Sequence, residues 1–130
     1  MKTIIAGSRA VGRTGTRSWD YDHLAKLVMQ AVSESGFEIT VVISGGAGGP
    51  DRAGEKWAQA NNKPIEQFKA NWKLGKGAGL ALNREMVANA DALIAIYDGQ
   101  SKGTLDTIER MKRAGKKVFV LEVASNCQNE

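Results

Sequence analysis

Apolar residues in this chain fall into runs of two kinds, short continuous ones and longer ones spaced at threes and fours. The first is Thr3-Ile4-Ile5-Ala6, rich in β-branched residues and closed by Gly7, which predicts a strand buried on both faces. Over residues 23–35 the apolar positions are Leu24, Leu27, Val28, Ala31 and Val32, the spacing of an amphipathic helix, and Gly36 ends it. Ile39-Thr40-Val41-Val42-Ile43 predicts a second strand that runs directly into a cluster of glycines. A helix is expected over 51–61 with Ala53, Trp57 and Ala58 inward, then a short peripheral strand over 64–68. A loop rich in lysine and glycine over 69–79 leads to a helix over 80–89. Residues 92–97 read as a central strand, 98–103 as a glycine-containing turn and 104–113 as a helix closed by Gly115. Val118-Phe119-Val120-Leu121 is the last strand, and residues 124–130 are polar and expected to fray.

Strands that alternate with helices in this way imply a parallel sheet covered by helices on both faces, an α/β fold. Right-handed crossovers, with one chain reversal after the third strand, predict five parallel strands in the order 3-2-1-4-5. The expected architecture is a single Rossmann-like three-layer domain over residues 1–123. A length of 130 residues suits one domain, and neither a repeat nor an internal boundary interrupts it.

Composition changes this picture in one respect. Hydrophobic residues at 42% and charged residues at 25% are ordinary for a globular protein, but fifteen glycines stand against two prolines. Such a ratio suggests repeated tight turns where backbone closely approaches something. No apolar run nears the ~20 residues of a membrane span, and the first six residues are too short for a signal peptide, so a cytoplasmic location is expected. Cys127 is the only cysteine and His23 the only histidine, which excludes an internal disulfide and the common cysteine or histidine metal sites. No metal and no cofactor are expected. A net charge of +4 favours anionic partners mildly. The cluster of Arg110, Lys112, Arg113, Lys116 and Lys117 reads as a solvated helix face and turn, with a nucleic-acid surface as the alternative.

In parallel sheets of this kind, ligands bind beyond the carboxyl ends of the strands, here at the switch point between the first and fourth. Three polar, glycine-bearing turns fall at those ends: Gly7-Ser8-Arg9, Ser44-Gly45-Gly46-Ala47-Gly48-Gly49 followed by Asp51, and the turn from Asp98 through Ser101 and Gly103 to Thr104. The glycines of the second turn let backbone N–H groups wrap an anion, and the next helix points its positive end at the same place. That turn is not a Walker loop, since no lysine followed by serine or threonine closes it, nor is it a spaced dinucleotide fingerprint. Asp51 suits either a helix cap or a ligand contact. Arg9 can grip a phosphate with two parallel hydrogen bonds. Ser101 and Thr104 can serve a phosphate or cap the next helix. Arg84 fits either a buried pair with Glu85 or a ligand contact. Trp57 and Met86 are assigned to the core, and Trp19 and Trp72 are the candidates for stacking on a base.

Taken together, these turns resemble the SLOG superfamily, the Rossmann-like group named after the Smf/DprA and LOG proteins, and within it the YspA-like, cpYpsA-related branch of small bacterial and phage proteins. The matching elements are Ala6-Gly7-Ser8-Arg9, Ser44-Gly45-Gly46-Ala47 with Gly49, Asp51, Gly54, Glu55, Trp57 and Ala58, and Gly75-Lys76 with Ala78 and Gly79 followed by Asn83-Arg84-Glu85-Met86. Ala90-Asp91-Ala92-Leu93-Ile94-Ala95 and Asp98-Gly99 with Ser101, Gly103 and Thr104 complete the set. Residues 11–19 depart from the branch in being longer and richer in glycine and arginine, and are expected as an exposed loop or a lid. The resemblance implies a nucleotide or a nucleotide-derived ligand, of NAD or ADP-ribose type among others, bound by a sensor or sequestering protein that self-associates. LOG-type members are phosphoribohydrolases with a glutamate three residues after a Gly-Thr pair. Here that position is Thr107, which has no carboxylate, so binding is favoured over hydrolysis. Nucleoside-phosphate N-glycosidase activity, with Asp98, Glu55 or Glu85 in place of the missing glutamate, and DprA-like binding of single-stranded DNA are the alternatives.

Overall fold

The computed structural model describes residues 1–124, apart from the side chain of Trp72. The expected C-terminal fray therefore lies, from residue 125 on, outside the described residues. The chain begins with β1 (Lys2–Gly7), followed by a short antiparallel hairpin of β2 (Arg13–Gly15) and β3 (Ser18–Trp19). Helix α1 (Tyr21–Ser35) starts two residues before the predicted span because Asp20 caps it, its carboxylate accepting from the His23 amide at 3.1 Å. Gly36 then closes the helix in the left-handed conformation, φ 69°.

The remaining elements follow in the predicted alternation. They are β4 (Val41–Ser44), α2 (Pro50–Ala60), β5 (Ile65–Gln67), a 3-10 turn (Trp72–Gly77), α3 (Ala78–Asn89), β6 (Ala92–Tyr97), α4 (Lys102–Arg113) and β7 (Lys117–Glu122). The segment expected as loop over 69–79 is thus more ordered than its composition suggests, since Asn71 caps the 3-10 turn through the Lys73 amide and α3 starts at the buried Ala78. All five main strands are parallel, in the order β5-β4-β1-β6-β7, which is the predicted 3-2-1-4-5.

Period-two alternation along the central strands sorts the core into two layers. Ile5, Val42, Ile94 and Ile96 face α1 and α2, meeting Leu24, Val28, Ala31, Ala53 and Ala58. Ile4, Ile43, Leu93 and Ala95 face α3 and α4, meeting Met86, Val87, Ile108 and Met111. The central strands β1, β4 and β6 are buried on both faces, so their middles read as largely apolar runs. Helix α2 lies especially close to the sheet: a Cβ on Gly54 would stand 2.7 Å from Cβ of Ile5. At the carboxyl end of β1 the same closeness recurs, where a Cβ on Gly7 would meet Pro50 at 2.8 Å. The ends of β1 and β6 and the start of α2 are thereby pressed together at one edge.

The segment expected as an exposed loop or lid, residues 11–19, is a hairpin anchored in the core. Val11 is fully buried against the α1 layer, and the Asp20 amide donates to the Gly12 carbonyl at 2.8 Å. No helix among the described residues is long and apolar enough to cross a membrane.

Candidate functional site

The turns after β1, β4 and β6 meet at the carboxyl edge of the sheet, and hydrogen bonds lock the first to the third. Ser8 is buried; its amide donates to the Ile96 carbonyl at 2.9 Å, and its hydroxyl accepts from the Asp98 amide at 3.1 Å. The same hydroxyl donates to Thr104 Oγ1 at 3.5 Å. Asp98 Oδ1 in turn accepts from the amides of Gln100 and Ser101, each at 2.9 Å. Partial burial opposes charge on Asp98, but those amides and the Ser8 hydroxyl outweigh it and hold the carboxyl below its ordinary range. Ser101 caps α4, accepting from the Thr104 amide at 3.3 Å and the Thr104 hydroxyl at 3.0 Å.

The glycine-rich turn after β4 already spends three of its amides inside the protein. Gly46 donates to Ser44 Oγ at 3.1 Å, Ala47 to Asp51 Oδ2 at 3.4 Å, and Gly49 to the Tyr21 hydroxyl at 3.1 Å. Asp51, the second residue of α2, thus folds its carboxylate back into the turn, and a Cβ on Gly45 would stand 3.1 Å from Asp51 Oδ2. Burial pushes the Asp51 carboxyl up to about 7. The amides of Ala47 and Gly7 and the charge of Arg9 offset part of this rise, and Glu55 adds to it. A carboxyl of this kind can exchange a proton near neutrality.

Trp19 covers the other side of the turn. Its indole Nε1 donates to the Arg9 carbonyl at 2.7 Å, and its ring leaves no room for a Cβ on Gly48 or Gly49, which would come within 2.5 and 2.8 Å of it. These two glycines serve the close approach of a tryptophan from the same chain. Trp19 stands as a packed wall here rather than a free stacking platform.

A cleft of about 1100 Å³ opens at this edge. Of the residues singled out from the sequence, Gly7, Ser8, Arg9, Gly45, Gly46, Ala47, Asp51, Asn83, Asp98, Ser101, Gly103 and Thr104 line it. Ser44 lies buried beneath the turn, Gly48 and Gly49 lie under Trp19, and Arg84 is exposed on α3 away from the cleft. Glu85 is exposed as well, so the two form no buried pair. Trp72 opens the 3-10 turn, and its side chain lies outside the described residues.

Sequence reasoning missed Arg13, Gln67 and Lys69, which line the cleft, as do Lys76, from the Gly75–Gly79 stretch of the family match, and Thr107, the position where LOG-type members carry a glutamate. Gln67 ends β5, so the strand-end rule that found the three turns reaches it too. The lysines and Arg13 sit in segments read as loop, where periodicity carries no signal. Arg13 also lies over the Trp19 ring, 5.8 Å from its centroid. Thr107 faces the cleft while its hydroxyl donates to the Gly103 carbonyl at 3.2 Å. Asp106, one residue earlier, is held by Asn83 at 3.1 Å and Arg110 at 2.8 Å, and Glu109 is exposed. Among the described residues no cluster of three or more His, Cys, Asp or Glu could hold a metal ion.

With this geometry established, the relatives of the chain can be set beside it. Residues 1–75 match the family described as YspA, cpYpsA-related SLOG (YAcAr). The chain is 33% identical over 125 residues to the "Gene 61 protein" of Mycobacterium phage D29, covering 91% of this chain and 94% of that protein. Its fold is similar to that of DNA processing protein A (DprA) from Streptococcus pneumoniae, with a TM-score of 0.66 and 20% identity. That similarity covers 95% of this chain, which spans only 50% of the DprA chain.

Proposed function

The chain belongs to the YspA, cpYpsA-related SLOG family, and from that premise we propose that it binds a nucleotide or nucleotide-derived ligand, as a sensor or sequestering protein. The observation that carries this reading is the meeting of three strand-end turns on one cleft, with the start of α4 and the Arg9 side chain on its wall. The volume, about 1100 Å³, suits a ligand of nucleotide size.

Electrostatics then orient the ligand. The Asp51 carboxylate already sits in the glycine-rich turn, where it repels a phosphate whenever it is ionised. At the start of α4 the Asp98 carboxylate is ionised too, but the Gln100 and Ser101 amides hold its Oδ1, and beside it Gly103, the hydroxyls of Ser101 and Thr104, the positive end of the helix and the Arg9 side chain face the cleft. Phosphate therefore goes to α4 and Arg9, and the sugar and base extend along Leu80, Leu82 and Met86. Among the described residues the Arg9 guanidinium makes no hydrogen bond or ion pair within the protein, so it can grip a phosphate without first losing one. Self-association, which family membership suggests, would use the exposed Leu74 of the 3-10 turn and Leu80 on the cleft wall, and sedimentation would detect it.

The test has two steps. Small molecules released by denaturing the purified protein are identified by mass spectrometry, and the affinity of the identified nucleotide is measured by calorimetry for wild type and Arg9→Ala. A phosphate grip by Arg9 predicts a loss of about tenfold or more. An unchanged affinity rejects the placement.

One observation favours a second reading, N-glycoside hydrolysis. Asp51, with its carboxyl near neutrality on the cleft wall, can act as general acid or base where Thr107 cannot. Release of free base from nucleoside monophosphates or NAD by wild type, and none by Asp51→Asn, would establish it. No release by micromolar enzyme would dismiss it for those substrates.

A further inference from the structure

We propose a second anion site, outside the cleft, that takes a phosphate group between the β2–β3 hairpin and helix α2. The hollow there has a volume of about 390 Å³, and Arg17, Trp19, Gly48, Arg52 and Lys56 line it together with Tyr21. Its three cations come from two separate segments. Arg17 stands in the turn between β2 and β3, while Arg52 and Lys56 sit one helical turn apart on the same face of α2. No carboxylate lines the hollow. Among the described residues none of the three cations has an ion-pair partner, since the salt bridges are Lys2–Glu66 and Arg110–Asp106.

Three like charges facing one hollow repel one another, and an anion of matching size relieves that repulsion. The floor is fixed. Tyr21 accepts the Gly49 amide at 3.1 Å, which holds its ring under the Lys56 ammonium, 5.1 Å from the ring centroid. Trp19 forms the wall nearest the cleft, with Arg9 bonded to its indole on the far side. Gly48, which lines the hollow instead of the cleft, gives it a wall with no side chain. The volume admits a phosphate group with part of what it is attached to. That chemistry arises either in a small phosphate ester or in the phosphodiester backbone of a single-stranded oligonucleotide.

The experiment is an amide NMR titration of the full chain with inorganic phosphate, and separately with a short single-stranded oligonucleotide lacking terminal phosphates. Shifts of the Ser18, Gly48 and Arg52 amides are expected, about tenfold weaker in apparent affinity in Arg17→Glu/Arg52→Glu. Those shifts should persist in Arg9→Ala, which separates this site from the cleft. A response to phosphate alone assigns the site to a small phosphate ester. A response to the oligonucleotide alone, or to both, assigns it to a backbone. Shifts confined to the cleft amides, or equal in wild type and the charge-reversed protein, overturn the proposal.

Discussion

The indole of Trp19 fills the space that a side chain on Gly48 would need, since a Cβ there would lie 2.5 Å from the ring. Twenty-nine residues apart in sequence, the two meet because the β2–β3 hairpin folds back over the turn after β4. Glycine at 48 is thereby explained by packing, before any ligand is considered.

Gly48→Ala should therefore expel Trp19 from its seat and cost about 1–3 kcal/mol, the usual range for overpacking. Urea unfolding followed by tryptophan fluorescence measures both the loss and the altered indole environment. Gly15→Ala is the control: its Cβ would meet only Ser18, at an ordinary 3.5 Å, and the change should stay within about 0.5 kcal/mol.

Asp51 predicts a pH dependence of stability whose sign is unusual for a carboxylate. Its carboxyl is raised from 3.8 to about 7 in the folded chain, so between those values the native state holds more proton than the unfolded state. Stability should fall as pH rises through that window and level off above it, by an amount on the order of a few kcal/mol. Asp51→Asn should flatten the slope and melt higher than wild type at about pH 8. Thermal melts at a series of pH values decide it, and a wild-type curve that rises from about pH 4 to 7 would contradict the assignment.

Ser8→Ala should uncouple the turn after β1 from the turn after β6. The Asp98 amide then loses the hydroxyl it donates to, at a cost of about 1–3 kcal/mol. Hydrogen exchange at Asp98 should quicken more than at Ile94 in the middle of β6, which keeps its strand partners. Equal acceleration at both positions would mean a global loss and no local coupling.

Thr107→Glu should place a negative charge beside Ser101, Gly103 and Thr104 on the cleft wall. If phosphate binds at the start of α4, nucleotide affinity falls about tenfold, while Thr107→Val, which keeps the shape, leaves it within about threefold. Calorimetry with the same nucleotide checks both.

Much of the architecture could be read before any coordinates. The central strand over 92–97 was predicted at its observed bounds because it is an uninterrupted apolar run, and the sheet order followed from the alternation of elements. Boundaries moved where a side chain that periodicity ignores does the capping, as with Asp20 at the start of α1. The 3-10 turn over 72–77 and the early start of α3 were hidden by the lysines and glycines around them.

The amino-acid sequence by itself determined the type, order and direction of the main elements, since continuous and helical apolar periods differ and crossovers in parallel sheets have one hand. That was enough to name three turns that converge. Only the tertiary structure decided how each glycine in those turns is used. A glycine records the absence of a side chain, and whether the space beside it holds a ligand or a neighbour depends on segments far away in the chain. For Gly45 the neighbour is the Asp51 carboxylate, for Gly48 and Gly49 it is Trp19, and at the start of α4 nothing lies within 4 Å of a Cβ on Gly103.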